Sequence, residues 1–221
     1  MRMDTRKMSV LAMLSALSFV AMLFGRVPGV VPAVGFLSYD PKDILITISG
    51  FLYGPMAAFM VTVVVAFIEM VFVSATGFFG LLMNIVSGCA FACTASFIYQ
   101  KKRSLKGAVI ALVAAWLFTT AVMTLWNYII APLYMENVTR EQVAALLLPG
   151  FVPFNLLKGG LNAAMTMLLY KPVSMALKAS RMMPTAERAE SKGKINAGVI
   201  IASLFVIATC VLWVLVLQGR L

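Results

Sequence analysis

The stretch Gly107–Ile130, GAVIALVAAWLFTTAVMTLWNYII, contains 24 residues and no charged side chain. A helix needs about 20 mostly apolar residues to cross the hydrocarbon core of a bilayer. Apolar and polar residues do not alternate along this stretch, as they would in a strand of a membrane barrel. The stretch therefore predicts a transmembrane helix, and similar apolar runs recur along the 221-residue chain.

The composition of the whole chain supports the same conclusion. Hydrophobic residues make up 62% of the chain and charged residues 12%, and the mean hydropathy is +0.98. A soluble domain carries about 25% charged residues. The excess apolar surface requires lipid, where only helices and closed barrels satisfy the backbone hydrogen bonds. We therefore predict an all-α membrane protein with six or seven helices.

The apolar runs divide the chain into a membrane domain, residues 1–180, and a C-terminal addition. A polar cytoplasmic linker is predicted at residues 181–194, and an additional transmembrane helix at residues 195–217. The six predicted helices of the membrane domain are approximately Met8–Phe24, Asp40–Tyr53, Met56–Val73, Phe79–Tyr99, Gly107–Ile130 and Phe151–Leu177.

An irregular segment rich in proline and glycine, residues 26–39, separates the first two helices. The sequence Asp40-Pro41-Lys42-Asp43 then predicts a helix start. Asp40 suits the N-cap, Pro41 suits the first helical position, and Asp43 suits the acidic position of a capping box.

The distribution of basic residues predicts the orientation in the membrane. With the N-terminus in the cytoplasm, 13 of the 18 lysines and arginines fall in inner segments, as the positive-inside rule requires. The segment 26–39 then faces outward. Because topology explains the basic clusters, the net charge of +10 does not indicate a nucleic-acid partner.

Polar residues converge near the outer ends of the last three helices of the membrane domain. Asn84, Asn127 and Asn155 lie on the fourth, fifth and sixth helices, and Lys158 lies one turn after Asn155. A lysine in a span costs about 2.5–3.5 kcal/mol, so it marks a functional site by default. Amides can donate and accept hydrogen bonds at once. Together with nearby aromatic residues, this pattern predicts a pocket for a flat, partly apolar ligand. The aromatic residues are Trp126, Tyr128, Phe151 and Phe154.

Each of these residues also has a structural interpretation. A single asparagine in a span can hold helices together, and Lys158 can extend toward the outer headgroups. Trp126 and Tyr128 suit an interfacial aromatic belt. Glu69, in the middle of the third helix, suits an internal pair or a proton-transfer site.

Catalytic and metal-binding motifs are missing from the sequence. It contains no phosphate-binding G-x-x-x-x-G-K-[ST] loop, no H-E-x-x-H, no G-x-S-x-G and no histidine, so we expect neither an enzyme nor a metal site. Cys89 and Cys93 lie one helical turn apart in an apolar run, which favours neither a metal site nor a disulfide. A binding subunit powered by another protein fits better. Ala12 and Ala16 on the first helix permit close helix approach, either to such a partner or within the chain.

Four segments carry a resemblance to a known family: Phe36–Leu45 (FLSYDPKDIL), Gly50–Pro55 (GFLYGP), Leu125–Ile129 (LWNYI) and Pro153–Gly160 (PFNLLKGG). Together they resemble the riboflavin-specific S components of energy-coupling-factor (ECF) transporters, over roughly residues 8–180. The resemblance implies a six-helix substrate-binding domain in the bacterial plasma membrane. It also implies that riboflavin, with FMN as a further candidate, binds near the outer face beneath a gating loop.

The resemblance also implies roles for individual residues and partners. Ala12 and Ala16 would dock onto the transmembrane coupling subunit (T), which works with two cytoplasmic ATPases (A and A′). An S component for another vitamin and a self-sufficient proton-coupled transporter using Glu69 remain alternatives. The C-terminal helix at 195–217 departs from the family pattern and would place the C-terminus outside. The residues implied to bind substrate are Leu37, Tyr39, Asp40, Asn84, Asn127, Asn155 and Lys158.

Overall fold

The computed structural model of the protein describes residues 5–74, 76–134, 138–179 and 197–220. Most of these residues form seven helices, and two of the helices contain an internal π-helical turn, Cys89–Cys93 in the fourth and Leu147–Phe151 in the sixth. The helices are α1 (Thr5–Gly25), α2 (Lys42–Tyr53), α3 (Pro55–Phe72), α4 (Gly77–Lys101), α5 (Leu105–Tyr134), α6 (from Arg140 to Ala179) and α7 (Ala197–Leu217).

Six of the helices in the described ranges are long and apolar enough to cross a membrane, and α2 is the exception. With 12 residues, α2 is about 18 Å long, whereas the hydrocarbon core is about 30 Å thick. Eleven of its residues are buried, because α1, α3, α4 and α6 pack around it. The predicted all-α membrane fold, with a six-helix bundle and a seventh C-terminal helix, is therefore confirmed.

The buried position of α2 depends on one glycine. A Cβ atom on Gly50 would lie 1.9 Å from Ser96 Oγ and 2.8 Å from Ala58 Cβ. Only glycine therefore lets α2 approach both α3 and α4 this closely. The start of α2 is enclosed as well, because its first residues, Lys42 and Asp43, are buried in the bundle.

The segment between α1 and α2 folds into a cap. Its ends, β1 (Val27–Pro28) and β2 (Ser38–Tyr39), pair as an antiparallel two-stranded ribbon, with Val27 opposite Tyr39. A 3₁₀ turn, Pro32–Val34, packs against α6, where a Cβ on Gly150 would come within 2.6 Å of the Val34 side chain. Apolar residues thus hold the cap segment on the bundle.

Two helix boundaries differ from the sequence prediction. The polar stretch expected to be a loop before Phe151 is helical from Arg140, because Thr139 and Gln142 form a capping box that nucleates a turn. The following π-helical turn contains Pro149 and carries the helix past it. Helix α5 also continues through Pro132, where the missing N–H removes only one hydrogen bond near the helix end.

The predicted capping of α2 is wrong. Pro41 occupies the N-cap position, and no side chain caps the helix. The carboxylates of Asp40 and Asp43 instead form ion pairs with buried lysines. A buried ammonium group attracts a carboxylate more strongly than a neutral backbone N–H does.

The C-terminal helix α7 packs against α6. Its buried residues are the small Ser203 and Cys210, and a Cβ on Gly160 of α6 would lie 3.5 Å from Cys210 Sγ. Small residues on both helices thus permit close contact, as is common between transmembrane helices. The predicted linker, residues 181–194, lies outside the described residues.

Candidate functional site

A cavity of about 160 Å³ lies between the cap and helices α3 to α6. Phe36, Leu37 and Asp40 of the cap line one side, and Phe79, Phe154 and Ser87 lie among the helix residues that line the others. Six of the seven residues implied to bind substrate line this one cavity: Leu37, Asp40, Asn84, Asn127, Asn155 and Lys158.

The seventh residue, Tyr39, lies behind the cavity wall. Its hydroxyl donates a hydrogen bond to Asn162 Oδ1 over 3.3 Å. Burial raises the pKa of the Tyr39 hydroxyl well above its ordinary value, so the group stays protonated and can donate. The structure therefore gives Tyr39 a supporting position next to the cavity.

Hydrogen bonds to backbone carbonyls fix the orientation of two asparagine side-chain amides in the cavity. Asn127 Nδ2 lies 2.7 Å from the Met123 carbonyl, and Asn155 Nδ2 lies 2.8 Å from the Phe151 carbonyl. A carbonyl oxygen only accepts hydrogen bonds, so both amides must donate there through nitrogen. Asn127 Oδ1 is buried and accepts no hydrogen bond from any described residue. A buried acceptor of this kind is satisfied if a ligand donates a hydrogen bond to it.

Charged side chains form part of the cavity wall. Lys158 Nζ lies 3.6 Å from Asp40 Oδ2 and 3.6 Å from Asp43 Oδ2, and its side chain is 14% exposed. The lysine therefore turns inward and does not extend toward the headgroups. Burial alone would raise the pKa of Asp40, but Lys158 and Lys42 hold it below its ordinary value.

These contacts belong to a continuous set of side chains, which we call the polar network. It begins at Tyr39, passes through Asn162 to Asp43, where Asn162 Nδ2 donates over 3.3 Å, and continues through Lys158 to Asp40. Its members are Tyr39, Asp40, Lys42, Asp43, Glu69, Asn84, Lys158 and Asn162.

Lys42 is a member of the polar network that no sequence pattern pointed to. This lysine is 3% exposed and contacts Glu69 and Asn84 Oδ1. Glu69 thus forms an internal ion pair, one of the two interpretations of its position in α3. Lys42 follows Pro41 at a predicted helix start, and no local pattern in the sequence predicts that it is buried. The enclosure of α2 by the neighbouring helices carries the residue into the bundle.

Three of the four predicted flanking aromatic residues are not at the cavity. Phe154 lines it, whereas Trp126, Tyr128 and Phe151 are not among its lining residues. On the other side of the molecule, Ala12 and Ala16 are exposed on α1. These two alanines therefore do not pack within the bundle, and the small-residue pair faces outward.

The fold and the site together define a multi-pass membrane protein that encloses a polar cavity beneath a cap. Residues 6–170 match the family described as the substrate-specific component of ECF transporters. The chain belongs to this family, as the resemblance predicted, and it is a multi-pass membrane protein of bacteria. Helix α7 lies beyond the matched residues.

Individual proteins are also similar to the chain, two of them in sequence and one in structure. Riboflavin transporter RibU of Staphylococcus aureus (strain TCH60) is 29% identical over 181 residues, which cover 79% of this chain and 94% of that protein. Riboflavin transporter FmnP of Bacillus subtilis (strain 168) is 26% identical over 170 residues, which cover 71% and 86%. A solved bacterial ECF S component superposes with a TM-score of 0.67 at 29% identity, covering 80% of this chain and 99% of its own.

The inward position of Lys158 generates a prediction about stability. In the Lys158→Met variant, Asp40 and Asp43 lose an ammonium partner within 4 Å. Removing one partner of a buried ion pair costs about 3–5 kcal/mol, so we expect a clearly lower unfolding temperature in detergent. Lys106→Met, at an exposed lysine near the start of α5, is the matched control. Equal unfolding temperatures for the two variants would show that the ion pairs are not formed.

Proposed function

We propose that this chain is the riboflavin-binding subunit of an ECF transporter and that riboflavin binds in the cavity beneath the cap. Two similar proteins carry the name riboflavin transporter, RibU and FmnP. The observation that carries the proposal is the buried, unpartnered Asn127 Oδ1 beside the donors Asn84 Nδ2 and Lys158 Nζ in one cavity.

These groups complement the pyrimidine edge of the flavin ring. That edge presents one N–H donor between two carbonyl acceptors. Asn127 Oδ1 would accept from the N–H, and Lys158 and Asn84 would donate to carbonyls. The aromatic faces of Phe79 and Phe154, which also line the cavity, suit the apolar part of a flat ring.

The cavity is too small to admit riboflavin unless part of its wall moves. Its volume of about 160 Å³ is below the range of about 300–1,000 Å³ that is usual for small-molecule sites. Riboflavin would therefore enter only with displacement of the cap, residues 26–41, and of cavity side chains. The cap is a ribbon of two-residue strands and not one of the packed helices, so we propose that it is the part of the wall that moves.

Riboflavin binding by purified protein tests the proposal. We expect purified preparations to be yellow and riboflavin fluorescence to be quenched on titration. Asn127→Ala should weaken binding by about 5- to 150-fold, because losing one buried hydrogen bond costs about 1–3 kcal/mol. Thr209→Ala, an exposed hydroxyl on α7, is the control. FMN and other vitamins serve as competitors. No response to riboflavin, with clear binding of another vitamin, would reassign the substrate.

The proposed transport partners are the T subunit and the ATPases A and A′. The exposed pair Ala12 and Ala16 on α1 offers the T subunit a flat surface, because small side chains let another helix approach closely. Glu69 is engaged by Lys42, which disfavours a free proton carrier. We therefore expect no uptake by this chain alone, with or without a proton gradient.

A bulky residue on this face should separate binding from transport. Ala12→Trp is expected to leave riboflavin affinity unchanged and to abolish uptake in cells that contain the coupling module, because the indole would keep the T subunit at a distance. Ala208→Trp, at an exposed alanine of α7, should leave both unchanged. Full uptake by Ala12→Trp would mean that docking uses another surface.

We also propose an orientation in which the N-terminus is cytoplasmic and the cap faces outward, as the basic residues suggest. Helix α2, although short, returns the chain to the side of the N-terminus: a Cβ on Gly25 at the end of α1 would lie 2.5 Å from Pro41, and Lys7 Nζ lies 5.4 Å from the centre of the Tyr53 ring at the end of α2. Helices α3 and α4 then run outward and back. An N-terminal fusion and a fusion after Tyr99, at the basic end of α4, should therefore lie in the cytoplasm, and a fusion in the cap should lie outside. Fluorescent-protein and alkaline-phosphatase fusions report on which side of the membrane each position lies. Phosphatase activity of the fusion after Tyr99 would contradict the proposed orientation.

A further inference from the structure

Lys42 joins four parts of the molecule. It is the first residue of α2, and its ammonium group contacts Glu69 of α3, Asn84 Oδ1 of α4 over 2.9 Å, and Asp40 Oδ1 of the cap over 3.7 Å. Its side chain is 3% exposed, so these contacts are shielded from water. Burial of an ammonium group is unfavourable unless such partners compensate it.

The contact with Asn84 determines which way that amide points. An ammonium group can only donate hydrogen bonds, so Asn84 must present its oxygen to Lys42. The nitrogen Nδ2 is then the atom left to contact a ligand, since Asn84 also lines the cavity. If the amide were rotated by 180°, its nitrogen would face the ammonium group, and the two donors would repel each other.

We infer that Lys42 is a positioning residue that fixes Asn84 as a hydrogen-bond donor in the cavity. It thereby selects ligands that carry an acceptor at that point over ligands that carry a donor. Glu69 of α3 and Asp40 of the cap hold the ammonium in place. This inference rests on the proposed function, because it assumes that riboflavin occupies this cavity.

A double-mutant cycle tests whether Lys42 acts through Asn84. Because Lys42→Met alone would leave a carboxylate buried, Lys42 is replaced together with Glu69 as Lys42→Met/Glu69→Leu. Replacing a buried ion pair by apolar residues is often tolerated. We expect riboflavin affinity to fall about tenfold in the wild-type background, and less than about threefold when Asn84 is already alanine. Equal losses in both backgrounds would overturn the inference.

A second measurement reads the amide directly and needs no ligand. In protein labelled with ¹⁵N-asparagine, the Asn84 side-chain signal is identified by its loss in Asn84→Ala. The double replacement at Lys42 and Glu69 should shift this signal, and Lys106→Met, at an exposed lysine, should not. An unchanged Asn84 signal would reject the positioning role.

The two measurements keep the two hypotheses apart. If wild-type protein does not bind riboflavin, the proposed function fails, and the ligand-free Asn84 signal still decides the role of Lys42. If wild-type protein binds riboflavin but the cycle shows independent losses, the positioning role fails and the function stands. Unfolding temperatures of all variants establish that each comparison is made on folded protein.

The single Asn84→Asp variant adds a further check. It keeps an oxygen toward Lys42 but has no amide nitrogen, so it should lose riboflavin affinity about as much as Asn84→Ala.

Discussion

The site depends on the burial of two lysines against three carboxylates. Lys42 and Lys158 lie among Asp40, Asp43 and Glu69, with every side chain largely removed from water. An isolated charge in this environment would be strongly unfavourable. The acids come from the cap, α2 and α3, and the lysines from α2 and α6, so the charges can be compensated only when these four elements meet.

The same network prepares the cavity for a ligand. The Lys42 ammonium group and two backbone carbonyls each fix the direction of a neighbouring amide, so the cavity presents donors and an acceptor at set positions. The fixed directions reduce the reorganisation that binding would require. Stability and recognition are thus linked, because the ion pairs that hold the cap also determine the polarity of the cavity wall.

The outer surfaces of the bundle have a different character. Helix α1 exposes the small residues Ala12 and Ala16 beside large ones such as Leu17, and α7 exposes large ones such as Ile201 and Phe205. Helix α7 packs on α6, and α1 packs on α2 and α3. The additional helix therefore covers a face of the bundle other than the one that carries the proposed docking pair.

The sequence by itself determined the class of fold. Uncharged runs as long as Gly107–Ile130 can be stable only as helices in lipid, and the shared depth of Asn84, Asn127, Asn155 and Lys158 followed from their places near helix ends. The start of the sixth helix was predicted too late in the chain, because Thr139 and Gln142 form a capping box inside a stretch that has the composition of a polar loop.

Only the tertiary structure decided which polar residues meet. The sequence assigned Asp40 and Asp43 to helix capping and gave Lys42 no role, because local rules describe a helix start in water. The close approach of α2 at Gly50 places that start inside the bundle, where attraction between buried charges exceeds the benefit of a cap. Pairing between residues as distant in sequence as Asp43 and Asn162 depends on how helices pack, and no local pattern encodes it.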